Sequence, residues 1–252
     1  MGGGALVDQQ AVNIHSNVAG RGVAVVLSSG IGDSSEAWNP LFGALAVRSR
    51  VLSWDFRGHG RSDRAKGIDG YSREHAIDDL INMIGQAGGT PANPAVLVGH
   101  SLGGYLSLCV ALRDPKLVKA LVLIATGPGF RDPASRAQWN GFVASMSLDP
   151  RCDPAARALA LQPDDEVMAN LGSIRVPTLV LVGSDDRRFL AAKDYFVRKM
   201  PDASSMVVEG ARHAVHRTHA DPVNAAILKF LEARFPTEFP AGATANHSRP
   251  GR

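Results

Sequence analysis

Short runs of apolar residues recur along the chain and alternate with segments in which apolar residues return every three or four positions. The runs are continuous, so each is expected to be buried on both faces, like the strands of a helix-covered parallel sheet. Six runs predict strands, at residues 23–29, 50–56, 95–100, 120–126, 178–183 and 204–209. The intervening segments predict helices over 35–46, 72–87, 102–113, 189–200 and 221–235. This alternation predicts an α/β fold with a doubly wound, mostly parallel sheet.

One stretch interrupts the alternation. Residues 131–175 contain no strand candidate, only short helical pieces separated by prolines. A connection of about 45 residues is far longer than the usual loop of about 4–6 residues, so we expect a short helical lid inserted into one domain. That single domain is expected to span residues 1–252. Its last part, 236–252, is rich in proline, glycine and polar residues and is predicted to be a disordered tail.

Composition narrows the possible partners. The 252 residues are 45% hydrophobic and 20% charged, with a formal net charge of only +3. No basic stripe with interleaved aromatic residues points to nucleic acid, and no apolar run approaches the roughly 18–20 residues that cross a membrane. The first ten residues lack the basic and apolar parts of a secretory signal. We therefore predict a cytoplasmic protein that binds neither nucleic acid nor a membrane. The sequence leaves its oligomeric state open.

The best candidate for chemistry is the pentapeptide Gly99-His-Ser101-Leu-Gly103, which lies between the predicted strand 95–100 and the predicted helix 102–113. A G-x-S-x-G turn in this setting bends sharply enough to present the serine hydroxyl, because the two glycines carry no Cβ to collide with nearby backbone. The serine also lies at a helix N-terminus, where partial positive charge favours a developing anion. Ser101 is thus a candidate nucleophile, and the alternative is an ordinary strand-to-helix turn.

A serine nucleophile needs a base, and the base needs an acid that orients it. Asp185 and Asp186 follow the predicted strand 178–183, and His213 follows the predicted strand 204–209. Because the carboxyl ends of parallel strands meet at one edge of a sheet, these groups are expected to lie near Ser101. No histidine or cysteine spacing indicates a metal site.

Four motifs in this order make the chain resemble the α/β-hydrolase superfamily over about residues 20–235. They are "VVLSSGIGDSSEAW" at 25–38, "DFRGHGRS" at 55–62, the turn at Ser101, and the strand-end turns that carry Asp186 and His213. Within the superfamily, the chain looks most similar to small serine hydrolases of the esterase and lactonase type, such as the enol-lactone hydrolases. The resemblance implies the α/β-hydrolase fold and an active site that needs neither cofactor nor metal.

The resemblance also implies roles for individual residues. Ser101 is the nucleophile, His213 is the base and then the acid, and Asp186 is the residue that orients His213. Asp185 is expected to cap the turn or face solvent. Asp132 is a second candidate for the acid, because some members of the superfamily carry theirs after the preceding strand.

The family's oxyanion hole maps onto two backbone N–H groups, those of Ile31 and Leu102. The chain departs from the commonest family pattern here, because Ser29-Gly30 stands where His-Gly is usual. Since the donor is a backbone group, this change affects how the loop is braced rather than the donor itself. The "DFRGHGRS" residues are expected to brace loops around the site, His100 to pack beneath the turn, and His216 to face solvent or the lid.

A short lid over a sheet edge favours a small acyl compound. Phe130, Trp139 and Phe142 are candidate walls of an apolar substrate pocket, although they are also suited to packing the lid helices. Arg188 follows the proposed acid and, if it faces inward, favours an anionic substrate.

These observations predict an enzyme that hydrolyses a small carboxylic ester or lactone through an acyl-enzyme. Three alternatives use the same fold: a cofactor-free perhydrolase, a hydrolase of carbon–carbon bonds, and a ligand sensor without turnover. Epoxide hydrolases and haloalkane dehalogenases are disfavoured, since they carry aspartate where this chain has Ser101.

Overall fold

The computed structural model describes residues 12–240. Its strands are β1 (Ser16–Ala19), β2 (Ala24–Ser28), β3 (Arg50–Trp54), β4 (Ala95–His100), β5 (Val118–Ile124), β6 (Thr178–Gly183) and β7 (Ala203–Val208). Its α-helices are α1 (Asn39–Ala46), α2 (Arg73–Gln86), α3 (Leu102–Arg113), α4 (Pro133–Ser145), α5 (Glu166–Asn170), α6 (Ala192–Lys199), α7 (Val215–Thr218) and α8 (Ala220–Arg234). Single 3₁₀ segments occur at Ser35–Trp38, Ile68–Tyr71, Pro115–Leu117, Pro154–Ala160 and Leu171–Ser173.

The strands form one seven-stranded sheet in the order β1-β3-β2-β4-β5-β6-β7. All six predicted strands are present and pair in parallel, which confirms the predicted fold class. The sequence missed β1, which pairs antiparallel with β3 and places Ser16 opposite Trp54. β1 is a four-residue edge strand that is not fully buried, so it has no continuous apolar run to reveal it.

The sheet is covered on both faces, as continuous apolar strands require. Every residue of β2, β4 and β6 is buried. Along β2, Val25 and Leu27 contribute to a core that includes residues of α1 and α8, whereas Val26 points to the opposite core with α2 and α3. Alternate side chains of one strand therefore supply two separate cores.

Two predicted helices differ from the structure at their N-terminal ends. The segment 35–46 divides into the 3₁₀ turn Ser35–Trp38 and α1, which has a proline in its first turn. The segment 189–200 becomes helical only at Ala192. Before it, the N–H groups of Phe189 and Leu190 bond to the carbonyl of Asp186, and this turn directs the segment across the end of the sheet.

Residues 131–175, between β5 and β6, form the helical insertion that contains α4 and α5. Two side chains of α4 tie it to the chain near the 3₁₀ segment Pro154–Ala160. The Trp139 indole donates to the carbonyl of Ala160 at 2.8 Å, and the Asn140 amide donates to the carbonyl of Gln162 at 3.0 Å. The insertion is thus linked internally by hydrogen bonds as well as by packing.

The predicted disordered tail begins too early. Phe239 is fully buried in the core beside α8, and Glu238 forms an ion pair with Lys119 at 2.8 Å. Phe239 alone anchors the otherwise polar segment 236–240 to the core. The average composition of the segment does not reveal this contact. The remainder of the predicted tail, 241–252, and residues 1–11 lie outside the described residues. Between them, in residues 12–240, no helix is long and apolar enough to cross a membrane.

Candidate active site

A cavity of about 1280 Å³ opens at the carboxyl ends of β2 and β4. β2 and β4 are neighbours in the sheet. After β2 the chain continues to β3 on one side of this pair, whereas after β4 it continues to β5 on the other side. Ligand sites in α/β sheets gather at such a switch point, because the connecting segments diverge there and leave a crevice. The loop after β2, the turn after β4 and the helical insertion all line the cavity.

Ser101 occupies a strained turn between β4 and α3. Its φ of 51° and ψ of −114° lie in a region of backbone conformation that residues other than glycine rarely adopt. The turn is possible because its flanking residues have no side chains. A Cβ on Gly99 would lie 2.4 Å from the backbone of Gly103, and a Cβ on Gly103 would lie 2.2 Å from the carbonyl oxygen of Ser28. This is the geometry of a nucleophile elbow.

The structure brings the three predicted triad residues into one hydrogen-bonded chain. His213 Nε2 lies 3.1 Å from Ser101 Oγ, and His213 Nδ1 lies 2.8 Å from Asp186 Oδ2. Because a carboxylate only accepts, Nδ1 carries the proton and Nε2 presents a lone pair to the serine hydroxyl. The Asp186 side chain is buried, whereas the His213 side chain is 43% exposed and open to the cavity.

Neither alternative carboxylate takes this place. Asp185 is exposed, and its backbone N–H bonds to the carbonyl of Ala211. Asp132 caps α4 by accepting from the N–H and the hydroxyl of Ser135, at 2.7 and 2.8 Å. These two hydrogen bonds lower the pKa of the Asp132 carboxyl. The carboxylate that His213 contacts is Asp186.

Two backbone N–H groups face the cavity beside Ser101. Leu102 is the first residue of α3, so its N–H has no partner inside the helix. Ile31 follows Gly30, which approaches the nucleophile so closely that a Cβ on Gly30 would lie 3.3 Å from Ser101 Cβ. In the range 12–240, no acceptor is assigned to the N–H of Ile31 or of Leu102. The N–H groups of Ile31 and Leu102 are therefore available as hydrogen-bond donors, and their role at an oxyanion stays a prediction.

The "DFRGHGRS" segment braces the surrounding loops. Asp55 accepts from the N–H groups of Ser35 and Arg61 at 2.6 and 2.8 Å. Arg57 forms a buried two-point ion pair with Asp79, at 2.7 and 2.9 Å. His59, also buried, accepts from a backbone N–H of the loop that contains Ile31.

Two histidines pack beneath the elbow. The ring of His100 donates from Nε2 to the carbonyl of His213 at 2.9 Å, and its centroid lies 4.2 Å from that of His216. The prediction that His216 faces solvent or the lid is wrong: it is 3% exposed and packs on Trp38, because α7 turns it into the core. Burial lowers the pKa of His216 to about 3 and holds the pKa of His100 well below its usual value. Burial therefore favours the neutral form of both rings.

All four predicted pocket residues line the cavity. Trp139 lies between Phe130 and Phe142, with both ring-centroid separations 5.8 Å. Arg188 lies at the same wall, and its guanidinium carbon is 3.8 Å from the centroid of the Phe142 ring.

Sequence reasoning missed Phe189, whose ring stacks on the imidazole of His213. Their centroids lie 5.0 Å apart and their planes differ by 23°. Phe189 falls at the start of the segment predicted as a helix, where an aromatic residue is expected to pack a core. Its position three residues after Asp186 was the one signal that it belongs near the site.

No group of three or more histidine, cysteine, aspartate or glutamate side chains within the described part of the chain is arranged to hold a metal ion. The arrangement places a serine hydroxyl, an imidazole, a buried carboxylate and the N–H groups of Ile31 and Leu102 around one cavity. These are the parts that acyl transfer requires.

The model of the alpha/beta hydrolase fold family matches residues 23–149. The chain therefore belongs to the α/β-hydrolase family. The matched region contains the loop after β2 with Ile31, the "DFRGHGRS" segment and the turn at Ser101.

The chain is also similar to several known proteins. It is 31% identical to a polyketide synthase of Burkholderia thailandensis over 84% of this chain, but it spans only 12% of that protein. It is 26% identical to the RutD protein of Agrobacterium fabrum, which is provisionally named a carbamate hydrolase, over 86% of this chain and 96% of that protein. Among solved structures, the enol-lactonase of Burkholderia xenovorans superposes with a TM-score of 0.75 at 20% identity, covering 87% of this chain and 96% of that one.

Proposed function

We propose that this protein is a serine hydrolase of small carboxylic esters or lactones, and that Ser101, His213 and Asp186 are its catalytic triad. The observation that carries the proposal is the continuous hydrogen-bonded chain from Asp186 through His213 to Ser101, with its distances of 2.8 and 3.1 Å. It ends at a hydroxyl held in a strained turn above the cavity.

The first half of the reaction forms an acyl-enzyme. As Ser101 Oγ attacks the ester carbonyl carbon, its proton passes to His213 Nε2, and the resulting imidazolium is stabilised by Asp186. The carbonyl oxygen becomes an oxyanion that accepts hydrogen bonds from the N–H groups of Ile31 and Leu102. Collapse of this intermediate breaks the bond to the alkoxy group, which leaves with the proton from His213.

The second half reverses these roles with water. His213 removes a proton from a water molecule as its oxygen attacks the acyl carbon, and the same two N–H groups hold the second oxyanion. Ser101 Oγ then departs and recovers its proton from His213. The product is a carboxylic acid, or a hydroxy acid when the substrate is a lactone, and the triad returns to its starting state.

The helical insertion, residues 131–175, acts as the lid in this proposal. It supplies Trp139 and Phe142 to the cavity wall, and Phe130 lies directly before it, so an acyl group bound there exchanges water for aromatic contacts. The cavity volume of about 1280 Å³ is of the order of a small-molecule site. The enol-lactonase likeness supports the fold that this proposal needs.

A carbamate is the second candidate substrate. The relative from Agrobacterium fabrum that carries this activity in its provisional name matches across 96% of its own length. The same triad attacks a carbamate carbonyl, and the carbamoyl-enzyme requires the same deacylation by water.

Turnover by the full chain tests the proposal. Purified protein is incubated with p-nitrophenyl acetate, p-nitrophenyl butyrate, a short lactone and a p-nitrophenyl carbamate, and a fluorophosphonate probe is mapped by mass spectrometry. We expect hydrolysis and labelling at Ser101. Ser101→Ala should abolish both, whereas Ser145→Ala, which removes an exposed hydroxyl from α4, should retain both. Absence of hydrolysis and of labelling in the wild type would reject the enzyme and favour a ligand sensor.

A further inference from the structure

Arg188 is held at the cavity wall by aromatic rings. It lies two residues after Asp186, in the turn between β6 and α6, and lines the cavity. Its guanidinium carbon stands 3.8 Å from the ring centroid of Phe142 and 5.9 Å from that of Trp139. Attraction between a cation and the face of an aromatic ring fixes the guanidinium there.

The other arginines that line the cavity are neutralised by carboxylates. Arg151 bonds to Asp149 at 3.0 and 3.1 Å, and Arg217 pairs with Asp33 at 3.3 Å. Within residues 12–240, no carboxylate oxygen lies within 4.0 Å of a guanidinium nitrogen of Arg188.

The carboxylates nearest to Arg188 in sequence are engaged elsewhere. Asp186 holds His213, and Asp185 accepts from the hydroxyl of Ser184 at 3.4 Å. Arg188 thus brings a positive charge, with no carboxylate of the described residues within 4.0 Å, to the wall of a cavity that contains the candidate nucleophile.

A ring partner leaves an arginine chemically different from one in an ion pair. The ring contacts the face of the guanidinium, so the N–H donors at its edge stay free for a planar anion. A carboxylate is the natural match, because it accepts two parallel hydrogen bonds from the guanidinium fork.

We propose that Arg188 binds a carboxylate carried by the substrate, so that the preferred substrates are anionic: monoesters of short dicarboxylic acids, or lactones and esters with an acidic side chain. This inference rests on the proposed ester hydrolysis at Ser101. It assigns Arg188 to recognition of the substrate and leaves the reacting atoms to the triad and the two N–H donors.

Matched substrate pairs isolate the carboxylate. The first pair is the p-nitrophenyl monoester of glutaric acid and its neutral analogue with an isopropyl group in place of the carboxylate. The second pair moves the charge to the leaving group: p-acetoxybenzoate and p-isopropylphenyl acetate. Each pair keeps the approximate shape constant, and kcat/KM is measured for both members after subtraction of the uncatalysed rate. Because the para carboxylate also makes the phenol a better leaving group, the second pair is judged by how its preference changes between the wild type and the arginine variants.

Two single-charge variants complete the design. Both arginines are exposed, but only Arg188 lines the cavity. Arg188→Gln removes the charge from the cavity wall, and Arg187→Gln removes the same charge from the adjacent residue outside the lining. In the wild type we expect the anionic member of at least one pair to be preferred. Arg188→Gln should lower that preference about tenfold, through KM, as expected for one charge-assisted hydrogen bond. Arg187→Gln should leave it within about twofold.

The outcomes separate this inference from the proposed function. Hydrolysis of the neutral esters with no preference that depends on Arg188 in either pair overturns the inference and leaves the serine hydrolase intact. Equal effects of Arg187→Gln and Arg188→Gln also overturn it, because they indicate general attraction by surface charge. If the wild type hydrolyses no member of either pair and Ser101 stays unlabelled, both proposals fail.

Discussion

The imidazole of His59 accepts a hydrogen bond from the backbone N–H of Gly32, with 2.9 Å between the two nitrogens. The other ring nitrogen, Nδ1, lies 3.1 Å from the carbonyl of Arg57 and donates to it. Burial lowers the pKa of His59, so the ring stays neutral and keeps its Nε2 lone pair for Gly32. Through this contact the "DFRGHGRS" segment fixes the residue next to Ile31, whose N–H is a proposed oxyanion donor.

His59→Phe should therefore impair catalysis more than substrate binding. The ring volume is kept, but the acceptor for Gly32 is lost and the Ile31 N–H is free to move away from the oxyanion. We expect kcat to fall about tenfold to a hundredfold, because displacing a donor should cost no more than the roughly 10²- to 10³-fold loss seen when one oxyanion donor is removed, while KM changes less. His59→Gln, which carries an acceptor oxygen, should recover part of kcat. Wild-type kcat in His59→Phe would contradict this role.

Adjacent aspartates give a matched test of the proposed acid. Asp186→Asn keeps the shape of the side chain but favours the wrong tautomer of His213, and we expect kcat to fall about 10³- to 10⁴-fold. Asp185→Asn alters an exposed carboxylate that does not contact His213, so kcat should stay within about twofold. Steady-state kinetics on p-nitrophenyl butyrate compares the two variants. Similar losses in both would argue against Asp186 as the acid.

The buried histidines should make the protein sensitive to acid. Burial lowers the pKa of His216 to about 3, and its pKa in the unfolded chain is about 6.5. Between these values the unfolded state binds a proton that the folded state does not, so the free energy of unfolding falls as pH decreases. One such histidine contributes a slope of about 1.4 kcal/mol per pH unit, and the stabilisation is fully present above pH 6.5.

Guanidinium unfolding at pH 7, 6 and 5 measures this slope. His216→Phe keeps an aromatic ring between Trp38 and His100 and removes the titrating group. The free energy of unfolding of this variant should therefore fall less steeply with decreasing pH than that of the wild type, by up to about 1.4 kcal/mol per pH unit. Parallel stability curves for wild type and variant would show that His216 is not the source.

Two glycines in different surroundings test the elbow. A methyl group on Gly99 would lie 2.4 Å from backbone atoms that have no room to move, so Gly99→Ala should destabilise the fold by about 3 kcal/mol or more. Gly43 lies exposed in α1 with no atom within 4 Å of the added methyl group. Gly43→Ala should stabilise the protein by about 0.5–1 kcal/mol through helix propensity. Thermal and denaturant unfolding report both changes, and similar stability of the two variants would count against the steric account.

Much of the fold was predictable because buried parallel strands leave a strong local signal. β4 and β6 begin and end at the residues predicted from their apolar runs. β1 was not predictable in this way, because an edge strand of four partly exposed residues lacks that signal. Phe239 was missed for a related reason: one buried aromatic residue hardly changes the composition of a polar segment.

The sequence by itself determined the nucleophile turn and the candidates for base and acid, because glycine spacing and strand ends are local features. Only the tertiary structure shows which of Asp186, Asp185 and Asp132 contacts His213, since that hydrogen bond depends on how separate strands are arranged in the sheet. It likewise placed Phe189 against His213, turned His216 into the core, and left Arg188 on an aromatic ring without a carboxylate. Each of these depends on contacts between segments far apart in the chain, which no local pattern encodes.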